Sequence, residues 1–134
     1  MIVLDASAVV ELITNRAMAE TVRKYLAFSG EPMAVPHLLD VEAMSALRKL
    51  AAAGLIDAGH AEAYVANLAA LPAERYSHLD LLGRMWELRH NFTAYDAAYV
   101  ALAERLNATL YTTDKKLLRG HRARAVLAQE SLPH

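Results

Sequence analysis

Short apolar segments alternate with helical segments along this chain, and few folds accommodate that pattern. Ile2-Val3-Leu4 and Met33-Ala34-Val35 are too short for helices, and Thr109–Thr113 is rich in β-branched and aromatic residues. A weaker strand is predicted at Arg124–Leu127. No hairpin signal such as Asn-Gly joins these segments. The sequence therefore predicts an α/β fold in which a parallel sheet is covered by helices on both faces.

The segments between the strands have the composition and end signals of helices. Pro36 suits a first helical turn, and Gly54 suits the residue after a helix. Thr93 is a predicted N-cap, and Asn107 is predicted to end the same helix. The predicted helices cover residues 6–13, 17–28, from Pro36 to Gly54, from Asp57 to about Leu71, 78–89 and 94–106.

Composition limits the classes of protein. The chain has 134 residues, of which 55% are hydrophobic and 22% charged, so we expect one globular domain over 1–134. The lack of cysteine excludes disulfides, thiolate metal sites and a cysteine nucleophile. Fourteen Lys and Arg against fifteen Asp and Glu exclude a strongly basic nucleic-acid binder, but not a local basic patch. With neither a long apolar run nor a signal peptide, we expect a cytoplasmic protein without a membrane segment.

Three aspartates occupy positions where an α/β protein binds ligands. Parallel sheets bind ligands beyond the carboxyl ends of their strands. Asp5 directly follows the first predicted strand, and Asp114 follows the strand at Thr109–Thr113. Asp96 lies in the first turn of the helix over 94–106. Each also has a purely structural explanation, because Asp5 and Asp114 are possible N-caps and Asp96 matches a capping box with Thr93.

Glu42 is harder to explain by local structure. No basic residue lies three or four positions away on its predicted helix, and the surrounding face is mostly apolar. Such an acid is either partly exposed or directed at a cation. Asp40 lies closer to the helix start, where it is either a partner of the helix dipole or a residue that supports the site.

The four acids would be costly if they converged. Two carboxylates about 4 Å apart repel by about 4 kcal/mol at a surface-like dielectric, and a whole domain is stable by only about 5–15 kcal/mol. Such a cluster persists only by protonation or by binding a cation. Oxygen ligands without cysteine favour Mg²⁺ or Mn²⁺, which lower the pKa of bound water and neutralise phosphate charge. Whether the acids converge depends on the fold.

Four motifs together carry a family resemblance. They are Ile2-Val3-Leu4-Asp5-Ala6-Ser7, Val35-Pro36 followed by Glu42, Thr93-Ala94-Tyr95-Asp96-Ala97-Ala98-Tyr99, and Thr112-Thr113-Asp114-Lys115-Lys116-Leu117. Each is weak alone, but all four occur in the same order and near the same spacings as in PIN-domain ribonucleases. The chain resembles in particular the VapC-type toxins of bacterial type II toxin–antitoxin systems.

The resemblance implies a fold, an activity and a set of site residues. The fold is a three-layer α/β/α domain with a short parallel sheet of four to five strands. Its metal ligands and catalytic acids would be Asp5, Glu42, Asp96 and Asp114, holding Mg²⁺ or Mn²⁺ for endonucleolytic cleavage of RNA. Ser7 and Thr113 would orient a carboxylate or a metal-bound water. The implied partners are RNA, a second copy of the chain and a VapB-type antitoxin. Lys116 departs from the pattern, because some relatives carry a further acid there, which leaves a fifth ligand and a second metal open.

Positive charge is concentrated just after the last of these acids. We interpret four residues there as candidate phosphate contacts: Lys115, Lys116, Arg119 and Arg122. The alternative is a solvated surface face. Tyr95 and Tyr99 are interpreted as core or interface residues.

Two other classes of function stay open at this point. In the first, the domain keeps the fold but binds RNA or an antitoxin without cleavage, for which Lys116 is the sequence feature in favour. In the second, the acidic pocket accepts a phosphoryl group as in a receiver domain, although the chain lacks the aspartate pair and mid-chain acceptor of that class. The sequence does not identify the RNA that would be cleaved.

Overall fold

Five strands form one parallel sheet in the computed structural model, which describes residues 1–129. They are β1 (Ile2–Leu4), β2 (Met33–Pro36), β3 (Ala73–Tyr76), β4 (Thr109–Thr112) and β5 (Arg124–Leu127). Their order across the sheet is β3-β2-β1-β4-β5, so β1 is central. The last five residues of the predicted domain over 1–134 lie outside the described residues.

In the described part of the chain, six α-helices flank the sheet: α1 (Ala6–Thr14), α2 (Ala19–Ser29), α3 (Leu38–Ala52), α4 (Ala61–Ala69), α5 (Leu82–Glu87) and α6 (Ala94–Leu106). Short 3₁₀ turns lie at Ala58–His60, Leu79–Leu81 and Lys115–Leu118. Helix α1 contacts α2, α3 and α4, whereas α6 packs across β1, β2 and β4 with α5 beside it. The predicted three-layer α/β/α architecture is confirmed. Within residues 1–129, no helix combines the length and apolarity that crossing a membrane requires.

The core places α6 close to the sheet. All three residues of β1 are fully buried, as are Leu110 and Tyr111 of β4. Residues 97–103 of α6 are buried without interruption, and four of these seven are alanines. Because alanine is small, the helix backbone can approach the strands closely. This close packing fixes the start of α6, where Asp96 lies.

The ends of α6 follow the predictions from sequence. The hydroxyl of Thr93 accepts a 3.1 Å hydrogen bond from the backbone N–H of Asp96. At the other end, Asn107 adopts a left-handed conformation with φ of 50°. Both cap assignments are confirmed, and both ends of the helix are fixed by local side-chain chemistry.

Two local predictions were wrong. Pro36 is the last residue of β2 and not the first turn of a helix, which begins at Leu38. Register explains this: β1 pairs with β2 only as far as Ala34, so the missing N–H of Pro36 breaks no bond to β1. The strand β3 was not predicted at all, because its sequence Ala-Glu-Arg-Tyr lacks an apolar run.

Strand β3 also accounts for Asp40. The guanidinium of Arg75 in β3 makes two hydrogen bonds to the Asp40 carboxylate, of 2.9 and 3.3 Å. Arg75 also donates to the backbone carbonyl groups of Leu68, Leu71 and Ala73. Asp40 therefore has a structural role, in that it ties the start of α3 to the edge of the sheet.

Candidate active site

The register of the two central strands places Asp5 beside β4. Leu4 pairs with Tyr111, so the residues that follow, Asp5 and Thr112, are neighbours where both strands end. The backbone N–H of Asp5 donates to the carbonyl of Tyr111 over 3.3 Å. The Asp5 side chain thus emerges at the carboxyl edge of the sheet, where α/β proteins bind ligands.

Three donors surround the Asp5 carboxylate, which is only 5% exposed. Its oxygens accept hydrogen bonds from the Ser7 hydroxyl at 2.7 Å, the Thr112 hydroxyl at 2.6 Å and the Ala8 backbone N–H at 3.1 Å. Burial raises the pKa of Asp5; the three hydrogen bonds lower it in part, and the nearby charge of Asp114 raises it further. Asp5 therefore caps α1 and is also a desolvated carboxylate within reach of other acids.

Glu42 is held by a tyrosine from the opposite layer of helices. The Tyr99 hydroxyl donates a 2.7 Å hydrogen bond to Glu42 Oε1. Burial raises the pKa of Glu42, the bond from Tyr99 opposes that effect, and the charges of Asp96 and Asp5 add to it. Burial and the hydrogen bond to Glu42 also raise the pKa of Tyr99, so its hydroxyl stays a proton donor. Of the two alternatives expected from the sequence, Glu42 is partly exposed, and the hydrogen bond from Tyr99 was not anticipated.

Asp96 and Asp114 share a lysine. The Lys116 ammonium nitrogen lies 3.5 Å from one carboxylate oxygen of each. The charges of Asp96 and Asp114 raise the pKa of Lys116, which keeps it a cation. Asp114 is fixed at its backbone, because its N–H donates to the Thr112 hydroxyl at 2.9 Å. The same Thr112 hydroxyl therefore connects Asp114 to Asp5.

The four acids (Asp5, Glu42, Asp96 and Asp114, the carboxylate cluster) influence one another electrostatically. Within residues 1–129, however, no three Asp, Glu, His or Cys side chains are arranged closely enough to hold a metal ion. The donor chemistry nevertheless fits a hard divalent cation, since all four side chains are carboxylates and burial disfavours the charges of Asp5 and Glu42. The position of Lys116 further shows that Asp96 and Asp114 accept a positive charge.

A groove opens beside the cluster. It has a volume of about 850 Å³ and runs between α1 and α3. Ser7, Glu42 and Thr113 line the end of the groove near the carboxylates, and Arg16 and Lys49 also line it. A chain with phosphate groups in this groove would therefore meet Glu42 and Lys49, whereas Arg16 is already paired at 3.2 Å with Glu11, which also lines the groove.

Sequence comparison identifies the domain. A model of the PIN domain matches residues 2–122. The chain belongs to the PIN-domain family. The match takes in all four members of the carboxylate cluster, together with the strands and helices that carry them.

Curated relatives place this PIN domain among VapC proteins. It is 42% identical to VapC ribonuclease Mb0985 of Mycobacterium bovis, over 87% of this chain and 88% of the relative. It is 38% identical to ribonuclease VapC12 of Mycobacterium tuberculosis, over 90% and 92% of the two chains. The crystal structure of PAE2754 from Pyrobaculum aerophilum is similar in fold, with a TM-score of 0.66, 28% identity and coverage of 92% and 89%. The resemblance to VapC-type PIN toxins is confirmed.

The PIN domain uses two polar residues that sequence analysis did not select. Thr112, rather than Thr113, places its hydroxyl on Asp5, whereas Thr113 contributes its backbone N–H to the Ser7 hydroxyl at 3.3 Å. Tyr99 was interpreted as a core or interface residue, and it is buried, but its hydroxyl binds Glu42. The spacing of three residues between Asp96 and Tyr99 was the available signal, because it places both on one face of α6.

The basic residues of the PIN domain differ in their surroundings. Lys115, Arg119 and Arg122 have exposed side chains, whereas Lys116 contacts the carboxylate cluster. The backbone N–H of Arg122 donates to Glu104 of α6 over 2.7 Å, and Glu104 is also paired with Arg84. These contacts attach the basic segment over 115–122 to the helix that carries Asp96.

Proposed function

We propose that this VapC-type PIN domain is a Mg²⁺- or Mn²⁺-dependent endoribonuclease, the toxin component of a toxin–antitoxin pair. Its substrate is RNA, and its regulatory partner is a VapB-type antitoxin. The ribonuclease names of the relatives at 38–42% identity support the activity. The proposed ligands and catalytic acids are Asp5, Glu42, Asp96 and Asp114.

The buried carboxylate of Asp5 is the observation that carries the proposal. Asp5 lies at the end of a central strand, where burial disfavours its charge and further acids are nearby. Such a carboxylate lowers the stability of the fold unless a bound cation compensates for it, and it therefore indicates a functional site. Helix capping alone does not require this arrangement, because an exposed N-cap forms the same bond without the burial. A divalent cation at the cluster would offset the cost.

The residues of the chain prepare the site. Ser7 and Thr112 hold Asp5 in one orientation, and Tyr99 does the same for Glu42. A bound divalent ion supplies charge neutralisation at the phosphate and a more acidic water. Fixed ligands matter because loss of their supporting hydrogen bonds costs metal sites about 10–100-fold in affinity or activity.

RNA would approach along the groove between α1 and α3. Arg16 and Lys49 lie along the groove, and Lys115, Arg119 and Arg122 lie in the segment after Asp114. Apart from Arg16, which is paired with Glu11, these cations offer local attraction for phosphates in a chain whose net charge is −1. Ser7 and Thr113 line the groove beside Glu42, where their role would be to orient a ligand or a water.

A second copy of the chain is the proposed assembly partner, and the cytoplasm is the proposed location. Leu79, Leu82 and Trp86 are between 50% and 68% exposed on neighbouring turns around α5. Large apolar side chains grouped on a surface are typical of protein interfaces. This surface supports a homodimer through α5.

The direct test is cleavage of total cellular RNA by antitoxin-free protein in Mn²⁺, in Mg²⁺ and in EDTA. We expect discrete fragments in either metal and none in EDTA, and no fragments from Asp96→Asn protein. The ends of the fragments would identify the target. Metal-independent binding of RNA without cleavage would instead support the non-catalytic binding module, and fragments that persist in EDTA would contradict metal dependence.

Tyr99→Phe should reduce the cleavage rate by about 10–100-fold, because it removes only the hydroxyl that holds Glu42. The free energy of unfolding should fall by no more than about 1–2 kcal/mol, the usual contribution of one hydrogen bond. Initial cleavage rates and urea unfolding measure the two effects. Tyr64→Phe on α4 is the matched control, and it should leave the rate unchanged; equal rates for Tyr99→Phe and the parent would rule out the positioning role.

A further inference from the structure

Lys116 occupies an unusual place for a lysine in a site built from acids. Its ammonium lies 3.5 Å from Asp96 Oδ2 and 3.5 Å from Asp114 Oδ2, and so lies at the same distance from both carboxylates. Both distances exceed the 2.7–2.9 Å of a tight charge-assisted hydrogen bond. The lysine therefore acts as a point charge shared between two acids.

Charge rather than packing holds the ammonium there. The Lys116 side chain is 64% exposed, whereas those of Asp96 and Asp114 are 24% and 39% exposed. Lys116 is anchored at its backbone, where its N–H donates to Asp114 Oδ1 at 3.0 Å. An exposed ion pair of this kind is weak, equivalent to about fivefold or less in affinity, so a divalent cation could displace it.

The remaining two acids have no such cation among residues 1–129. Asp5 and Glu42 are held by neutral donors, namely the hydroxyls of Ser7, Thr112 and Tyr99 and the backbone N–H of Ala8. The carboxylate cluster is therefore asymmetric, with a built-in positive charge on the side of Asp96 and Asp114 only.

We propose that the Lys116 ammonium is a resident cation that competes with divalent metal for Asp96 and Asp114. The protein consequently holds a single divalent ion, more weakly than the same site would without the lysine. This inference rests on the proposed function, because it assumes that the cluster binds metal. It assigns to Lys116 a role in setting metal number and affinity, separate from contact with RNA phosphates.

The test is titration of the whole chain with Mn²⁺ in the absence of RNA, by calorimetry and by electron paramagnetic resonance of free Mn²⁺. The parent is compared with Lys116→Gln, Lys116→Glu and the control Lys115→Gln. The control removes the same charge from the adjacent residue, which has no ion-pair partner among residues 1–129. Thermal unfolding in EDTA verifies that each variant is folded.

We expect Lys116→Gln to bind Mn²⁺ about fivefold more tightly than the parent, because the ion no longer has to displace the exposed ammonium. Lys115→Gln should stay within about twofold of the parent, because its charge lies in solvent and is screened. Lys116→Glu should bind a second Mn²⁺ per chain, since it turns the resident cation into a further carboxylate ligand.

Two results would overturn the inference, and only the second would also contradict the proposed function. Equal affinity and stoichiometry for the parent and Lys116→Gln would reject the competition and leave the metal-dependent nuclease standing. If no protein binds Mn²⁺, both the inference and the metal dependence of the proposed function fail. If Lys116→Gln binds Mn²⁺ and the parent does not, the inference that Lys116 competes with the metal is supported.

Discussion

Asp5→Asn protein is expected to lose more than about a hundredfold in RNA cleavage while remaining folded. The loss should exceed the 10–100-fold typical of residues that only support a metal ligand, because Asp5 is itself a proposed ligand. Fold is retained because Asn is as good an N-cap as Asp and has nearly the same shape. Its side-chain oxygen can accept from Ser7 and Ala8, and its amide can donate to the Thr112 hydroxyl.

The same substitution should stabilise the metal-free protein near neutral pH. The pKa of Asp5 is raised in the folded state, so the folded protein binds the proton more strongly than the unfolded chain does. This makes the Asp5 carboxylate a cost that is absent at low pH and grows as pH rises above the unfolded pKa of about 3.9. In EDTA, the melting temperature of Asp5→Asn relative to the parent should therefore increase from about pH 4 to pH 7.

Mn²⁺ should reverse this order. At a concentration of 100 times its dissociation constant, a ligand stabilises the folded state by about 2.7 kcal/mol. The parent should gain this stabilisation, and the variant, lacking one proposed ligand, should gain little. Calorimetric melting with and without Mn²⁺ measures both effects. Full cleavage activity in Asp5→Asn, or a variant whose relative stability falls toward neutral pH, would show that Asp5 is an ordinary cap.

Leu110→Ala should cost about 2–5 kcal/mol of unfolding free energy, the range for deleting a fully buried leucine side chain. Leu110 has no exposed surface and lies in β4 directly beside Val3 of the central strand. Because β4 carries Thr112, which donates to Asp5, cleavage by the variant should weaken as the temperature approaches its lowered melting temperature.

Denaturant unfolding of Leu110→Ala is compared with that of Leu55→Ala. Leu55 is 60% exposed, so the same chemical change there should alter stability by less than about 0.5 kcal/mol. A cost at Leu110 no larger than at Leu55 would mean that β4 is not part of the core.

Local signals predicted most of the elements that carry the site. The buried run before Asp5, the Thr93 cap and the left-handed Asn107 are determined by neighbouring residues, and the structure has all three. Strand β3 could not be predicted in this way, because its place depends on pairing with β2 and on the bonds that Arg75 makes to α3 and its neighbours. Positions at strand and helix ends singled out three of the acids, and the lack of a basic neighbour singled out Glu42, but only the family resemblance assigned all four to one metal site.

The hydrogen bonds to those acids could not be predicted from sequence for a different reason. Thr112 and Thr113 are adjacent and chemically identical, and only the pairing of β4 with β1 decides which hydroxyl faces Asp5. Tyr99 and Glu42 are separated by 57 residues and lie on helices in different layers. Long-range register and helix packing set both contacts. The roles of Ser7, Thr113 and the four acids stay predictions until the variants are measured.

The pairing of β1 with β4 also determines when a nascent chain can assemble the proposed active site. Asp5 and the hydroxyl that orients it, Thr112, are 107 residues apart in sequence. During synthesis, β1 can pair with β2 but lacks its other neighbour until β4 has left the ribosome. Contacts between residues so far apart in sequence are slow to form. An incomplete chain lacks the assembled carboxylate cluster. We therefore expect a chain that ends before β4 to be inactive as a ribonuclease.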